Sequence, residues 1–127
     1  QIRDLGVEVW GISSDSVYSH KVFKETSPSA AKVQYPLVSD RNLHISRAYR
    51  VLDENTGAPY RATIIISPEG QIISKLVYPG EVGRNAYEIL RIMQAIITEQ
   101  ETGLGMPANW VPGMPGIKRS VRGIGRV

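Results

Sequence analysis

A lone guanidinium, Arg61, stands at the mouth of the apolar run Ala62-Thr63-Ile64-Ile65-Ile66. A cation there either caps a strand end at the surface or faces an anion, and spacing alone leaves both roles open. A second set groups Ser13, Ser14, Asp15, Ser16 and His20, the residue types of nucleophilic hydrolysis. No Gly-x-Ser-x-Gly elbow accompanies it, and Ser-Asp-Ser before a helix is ordinary capping, because short oxygen side chains satisfy free amide donors. His20 and His44 are too few and too scattered for a metal site, so no metal and no cofactor is expected. Gly103-x-Gly105 has no strand before it and no helix after it, which removes a nucleotide loop. The chain contains no cysteine, which removes disulfides, thiolate metal sites and thiol chemistry from these residues.

These groups need elements to hold them. Arg61 to Ile66 reads as a strand rich in β-branched residues, apolar enough to be covered on both faces. Pro68-Glu69-Gly70 supplies turn chemistry, and Ile72 to Tyr78 returns as the second strand of a hairpin. Upstream, Gln1 to Leu5 resembles a helix end stopped by Gly6, and Val7 to Ser13 reads as a strand. Ser14-Asp15-Ser16 opens a helix over Val17 to Glu25, and Tyr35 to Ser39 forms a short strand. Asp40 caps a second helix, roughly Asn42 to Tyr49, and Asp53 to Pro59 is a polar loop. After the turn Pro79 to Gly83, Val82, Ala86, Ile89, Leu90, Met93, Ile96 and Ile97 lie on one stripe of an amphipathic helix ending near Thr98. From Gly103 onward, six glycines and three prolines with Trp110 as the one large anchor suggest an extended arm. The order is strand, helix, strand, helix, hairpin, helix, arm, an α/β class in one domain.

With 127 residues and 42% hydrophobic content, the chain is long enough for a core of its own. No stretch approaches the roughly 18 apolar residues of a membrane span, and no basic-then-apolar targeting pattern opens the chain. Without an initiator Met, Gln1-Ile2-Arg3-Asp4 does not read as a natural translation start. A cytoplasmic location is expected. The formal charge of +3 is concentrated in Lys118, Arg119, Arg122 and Arg126; without these four, 11 basic residues face 12 acidic ones. A basic end can touch nucleic acid or an acidic partner, but Gly-rich basic ends are more often simply disordered. Nucleic acid is not the expected partner, and no membrane is.

Several segments, taken together and in order, resemble the peroxiredoxins (the alkyl hydroperoxide reductase and thiol-specific antioxidant family). They are Leu5 to Ser16 with Ser19-His20, Tyr35 to Asp40, Ala48 to Asp53, Tyr60 to Gly70, Gly83 to Glu88, and Pro107 to Trp110 with Val111-Pro112-Gly113. The resemblance implies a thioredoxin-like fold over residues 1–102 with an arm over 103–127. It implies a thiol-dependent peroxidase that reduces hydrogen peroxide and alkyl hydroperoxides through a cysteine oxidised to a sulfenic acid and recycled by a thiol. That cysteine belongs to a Pro-x-x-x-Thr-x-x-Cys segment missing from these 127 residues, so the chain alone is expected to be inactive. Arg61 matches the family arginine that stabilises the thiolate and orients the peroxide, and Arg84 matches the arginine of the later Gly-Arg motif. Met106 stands where two-cysteine members keep a resolving cysteine before Pro-Ala-Asn-Trp, a one-cysteine-like pattern; by itself a methionine there simply packs near Trp110.

The fold implied by the resemblance also places the strand preceding the active-site helix between Val7–Ser13 and Arg61–Ile66. Both of those strands would then carry open edges. The expected partners are a cysteine-bearing N-terminal segment and further copies of the chain, as a dimer or a ring of dimers. The alternative is a non-catalytic, peroxiredoxin-derived scaffold or interaction module.

Overall fold

A computed structural model describes residues 1–120; Arg122 and Arg126, in the basic end, lie outside the described residues. Two compact units are present, one formed by Glu8–Arg84 and the other by Gln1–Val7 together with the chain from Asn85 onward.

In the first unit, β1 (Gly11–Ser13) pairs in parallel with β2 (Leu37–Ser39), in the register Gly11 with Leu37 and Ser13 with Ser39. The strand expected over Val7 to Ser13 shrinks to three residues because its partner offers only three. Pro36 has no amide to donate, so it contributes only its carbonyl, to Gly11 N at 2.9 Å. The crossing at Gly11 is close: a Cβ there would lie 3.0 Å from both the Leu37 and Tyr35 side chains and would push them aside. Upstream of the ladder, Trp10 is 59% exposed, with its indole N–H donating to Glu8 Oε1.

Between these strands runs α1 (Val17–Thr26), whose Ser16 cap accepts the Ser19 amide at 3.1 Å, as the Ser-Asp-Ser signal predicts. Helix α2 is shorter than expected, His44–Ala48, because Leu43 takes a left-handed conformation at φ 64°. Asp40, 1% exposed, still caps it. Its carboxylate accepts the Ile45 amide at 2.9 Å, the Ser46 amide at 2.7 Å and the Ser46 hydroxyl at 2.6 Å. Burial pushes the Asp40 carboxyl up, but the Ser46 hydroxyl, the two amides and the nearby His44 charge outweigh it and hold it below its ordinary value of 3.8.

A folded value below the unfolded one means this stability is fully present above about pH 4 and is lost as pH falls through the folded value. Asp40→Asn is therefore expected to cost about 2–3 kcal/mol near neutrality. It should also flatten the acid side of the stability profile, read as denaturation midpoint against pH. A variant that still loses stability below pH 4 as the parent does would assign the acid limb to another group.

The polar segment read as a loop before the hairpin carries a short antiparallel ladder, β3 (Leu52–Asp53) with β4 (Ala58–Pro59). The hairpin follows as β5 (Arg61–Ile66) and β6 (Ile72–Tyr78), with a register shift between Ile65 and Ile66. Gly70 turns the chain at φ 84°. The expectation that β5 is covered on both faces does not hold: only Ile65 is buried, and Ile66 is 48% exposed. Pairing with β6 satisfies backbone groups along one edge but covers neither side-chain face. No ladder joins β1 to β5; the described strands form three separate two-stranded pairs.

The second unit is built on α3 (Ala86–Thr102), capped by the Asn85 carboxamide, which accepts the Tyr87 and Glu88 amides. Val82, read into its apolar stripe, lies before the helix and is 47% exposed. The helix ends on Gly103 at φ 70°. The arm beyond it doubles back, because the backbone groups of Gly105 and Ile117 bond each other reciprocally at 2.7 Å. Trp110, 2% exposed, is buried in that turn, its indole donating to the Met114 carbonyl at 2.9 Å.

Candidate active-site surface

Arg61 lies at the first position of β5, and Arg84 closes the turn that follows β6. Both side chains are exposed, and each is held by a backbone carbonyl. Arg61 Nε donates to Gly80 O at 2.7 Å, and Arg84 Nη1 donates to Ala62 O at 2.6 Å. The two bonds form a reciprocal clasp, the strand residue reaching the turn and the turn residue reaching back to the strand. Gly80 can lie open beneath Arg61 because nothing approaches its missing Cβ.

Among the described residues, neither guanidinium is paired with a carboxylate, whereas Arg47, Arg91 and Arg119 all are. Each clasp bond uses one of five N–H donors, so both side chains keep donors directed at no protein anion. Such a pair can stabilise a thiolate or a developing oxyanion without first breaking an ion pair. A shallow apolar hollow lies on α1 instead, lined by Tyr18, Ser19, Val22, Phe23 and Thr26, and neither arginine borders it.

The structure does gather Ser13, Asp15 and His20, but in the wrong order for acyl transfer. The Ser13 hydroxyl shares a hydrogen bond with His20 Nε2 and also lies 3.3 Å from Asp15 Oδ2. The carboxylate thus meets the serine, while His20 Nδ1, which a triad carboxylate would orient, is buried without a partner among the described residues. His44 sits at the start of α2, and among the described residues no group of three or more His, Cys, Asp or Glu is placed to hold a metal ion. The Met106 methyl closes over Gly116.

One contact was not anticipated from residue types. Arg91 grips Glu88 with two N–H donors, at 3.1 and 3.2 Å, and donates a third to the Trp110 carbonyl at 2.9 Å. The i,i+3 spacing of Glu88 and Arg91 was visible; the carbonyl 19 residues away was not. The Arg91 hydrogen bond holds the Glu88 carboxyl below its ordinary range, and the same bond raises Arg91.

The model of the AhpC/TSA family matches residues 1–75, more than half of the chain. The chain belongs to the AhpC/TSA family. Peroxiredoxin 2 of Thermoplasma acidophilum is 38% identical over 116 residues, covering 90% of this chain and 58% of the relative. Alkyl hydroperoxide reductase C of Bacillus subtilis is 33% identical over 127 residues, covering 99% of this chain and 68% of the relative. Among solved structures, the reduced 2-Cys peroxiredoxin of Plasmodium vivax superposes with a TM-score of 0.88 at 34% identity, over 94% of this chain and 63% of that one. The fold is therefore the thioredoxin-like peroxiredoxin fold, and this peroxiredoxin chain spans about three fifths of the first relatives it matches. Among the described residues, no helix is long and apolar enough to cross a membrane.

Proposed function

We propose that this chain is the arginine-bearing, C-terminal part of a thiol-dependent peroxidase acting on hydrogen peroxide and alkyl hydroperoxides. The nucleophilic cysteine comes from a strand–helix segment outside these 127 residues. The observation that carries the reading is the clasp: Arg61 and Arg84 sit beside one strand, each held by a carbonyl and, among the described residues, neither paired with an acid. In the reaction, the thiolate sulfur takes the outer oxygen of ROOH, the O–O bond breaks, and RO⁻ gains a proton to leave as ROH. Arg61 stabilises the thiolate and the charge developing on the departing oxygen, and Arg84 holds Ala62, and with it the start of β5, in place. A thiol then reduces the sulfenic acid.

The open edges of β1 and β5, and the exposed Ile12, Val17, Val22 and Phe23 around α1, support a completing segment as partner. In this reading residues 1–102 are part of one thioredoxin-like domain, 103–127 is its arm, the assembly is a dimer or a ring of dimers, and its location is cytoplasmic. The lack of any cysteine in the chain favours one other reading, a scaffold without chemistry.

Native mass spectrometry separates the two. Mixed with a polypeptide carrying the Pro-x-x-x-Thr-x-x-Cys strand–helix segment, the chain is expected to form a complex with one segment per chain. A chain that folds as a homo-oligomer and ignores the segment would leave the scaffold.

A further inference from the structure

We propose that Met106 is an oxidation site whose sulfoxide opens the loop closed by the Gly105–Ile117 bridge. The three methionines differ in reach. Met93 is buried within α3 and Met114 is 45% exposed, whereas Met106 is half-buried and sits directly under the bridge. Its methyl and Leu104 fill the space over Gly116 completely: a Cβ there would lie 2.9 Å from Met106 Cε and 2.7 Å from Leu104 Cβ. Both backbone bonds of the bridge, at 2.7 Å, flank this packed spot. Arg119 lies over Gly105 and ties the segment after Ile117 to α3 through Glu99 at 2.9 Å.

A thioether suits such a place because it is apolar and adaptable; a sulfoxide is polar, chiral and larger. Hydroperoxide is the oxidant. The sulfur attacks the outer oxygen of ROOH, the O–O bond breaks, the S–O bond forms, and ROH leaves with the proton. Sulfur loses two electrons and the peroxide gains them. The new oxygen needs water or a donor on a side chain whose methyl is packed with Leu104 over Gly116, so the bridge opens and Arg119 parts from Glu99. Oxidation of Met114, already in solvent, carries no such consequence. The proposal concerns the second unit alone and holds whether or not the peroxidase reading does.

The test uses the full chain treated with hydrogen peroxide, with sulfoxides located by peptide mass mapping and backbone exchange followed at Gly105 and Ile117. Molecules oxidised at Met106 are expected to exchange these two amides about tenfold faster, the scale of one net backbone hydrogen bond. Met106→Leu, which keeps the packing, should show no acceleration after the same treatment although Met114 is still oxidised. Met106→Gln, a polar substitute, should exchange fast without peroxide, and sulfoxide reductases should restore the slow rate in the oxidised parent. Full oxidation of Met114 with Met106 untouched, or oxidised Met106 with unchanged exchange, would overturn the proposal.

Discussion

Arg61→Ala is expected to lower kcat/KM for hydroperoxide about a hundredfold in the chain completed by its cysteine segment, the usual loss for one oriented donor at a developing oxyanion. Arg61 anchors through Nε to Gly80 O and meets no carboxylate among the described residues, so its remaining donors are free for thiolate and substrate. Arg61→Lys keeps the charge but loses the planar fork, and should recover only part of the rate. Because Arg61 is exposed and lies at the strand's end, the denaturation midpoint should move little in either variant. Stopped-flow peroxide consumption beside a denaturant melt reads both quantities. A completed Arg61→Ala protein with unaltered kcat/KM would remove Arg61 from the reaction.

The second large effect is structural. Trp110→Ala is expected to destabilise the unit built on α3 by about 3–5 kcal/mol, the range for deleting a buried aromatic side chain. Trp110 is 2% exposed, its indole serves the Met114 carbonyl, and its own carbonyl receives Arg91. The deletion therefore leaves a cavity and frees an acceptor in the turn that the Gly105–Ile117 bridge closes. Intrinsic fluorescence gives a direct reading, because the other indole, Trp10, is 59% exposed. The parent should lose a blue-shifted component on unfolding, and the variant should lack it and unfold at lower denaturant. A loss under about 1 kcal/mol would mean that Arg91 and the bridge, not the indole, hold the arm.

What the residues disclosed in advance follows the range of the interactions involved. Ser16 and Asp40 were readable as caps because each side chain meets amides within six residues, so local chemistry nearly decides the outcome. The hairpin was readable for the same reason, with Gly70 at the turn and β-branched residues on both sides. Strand length was not: Val7 to Trp10 belongs to the same run that reads as a strand, yet a strand exists only where a partner pairs with it, and β2 pairs with three residues. The ladder at Leu52–Asp53 was hidden by polar residues that make its turn. The doubling back of the arm depends on Gly105 meeting Ile117, which no window of residues reveals.

The candidate site was less legible. Position alone left Arg61 between surface cap and anion site, and only the family pattern pointed to Arg84. That the two form a clasp through Gly80 O and Ala62 O, across separations of 19 and 22 residues, is a product of the fold. Ser13, Asp15 and His20 teach the reverse lesson. Their types suggested hydrolysis, and their geometry, with the carboxylate on the serine rather than on the imidazole, points away from it.

The most direct measurement is hydroperoxide consumption by the chain alone, by the cysteine-bearing strand–helix segment alone, and by the two together, with a thiol reductant present throughout. Background rates are expected for each part and thiol-dependent turnover for the mixture, abolished when the segment's cysteine is replaced by serine. A mixture that binds yet stays at background, or a chain that consumes peroxide unaided, would contradict the peroxidase reading.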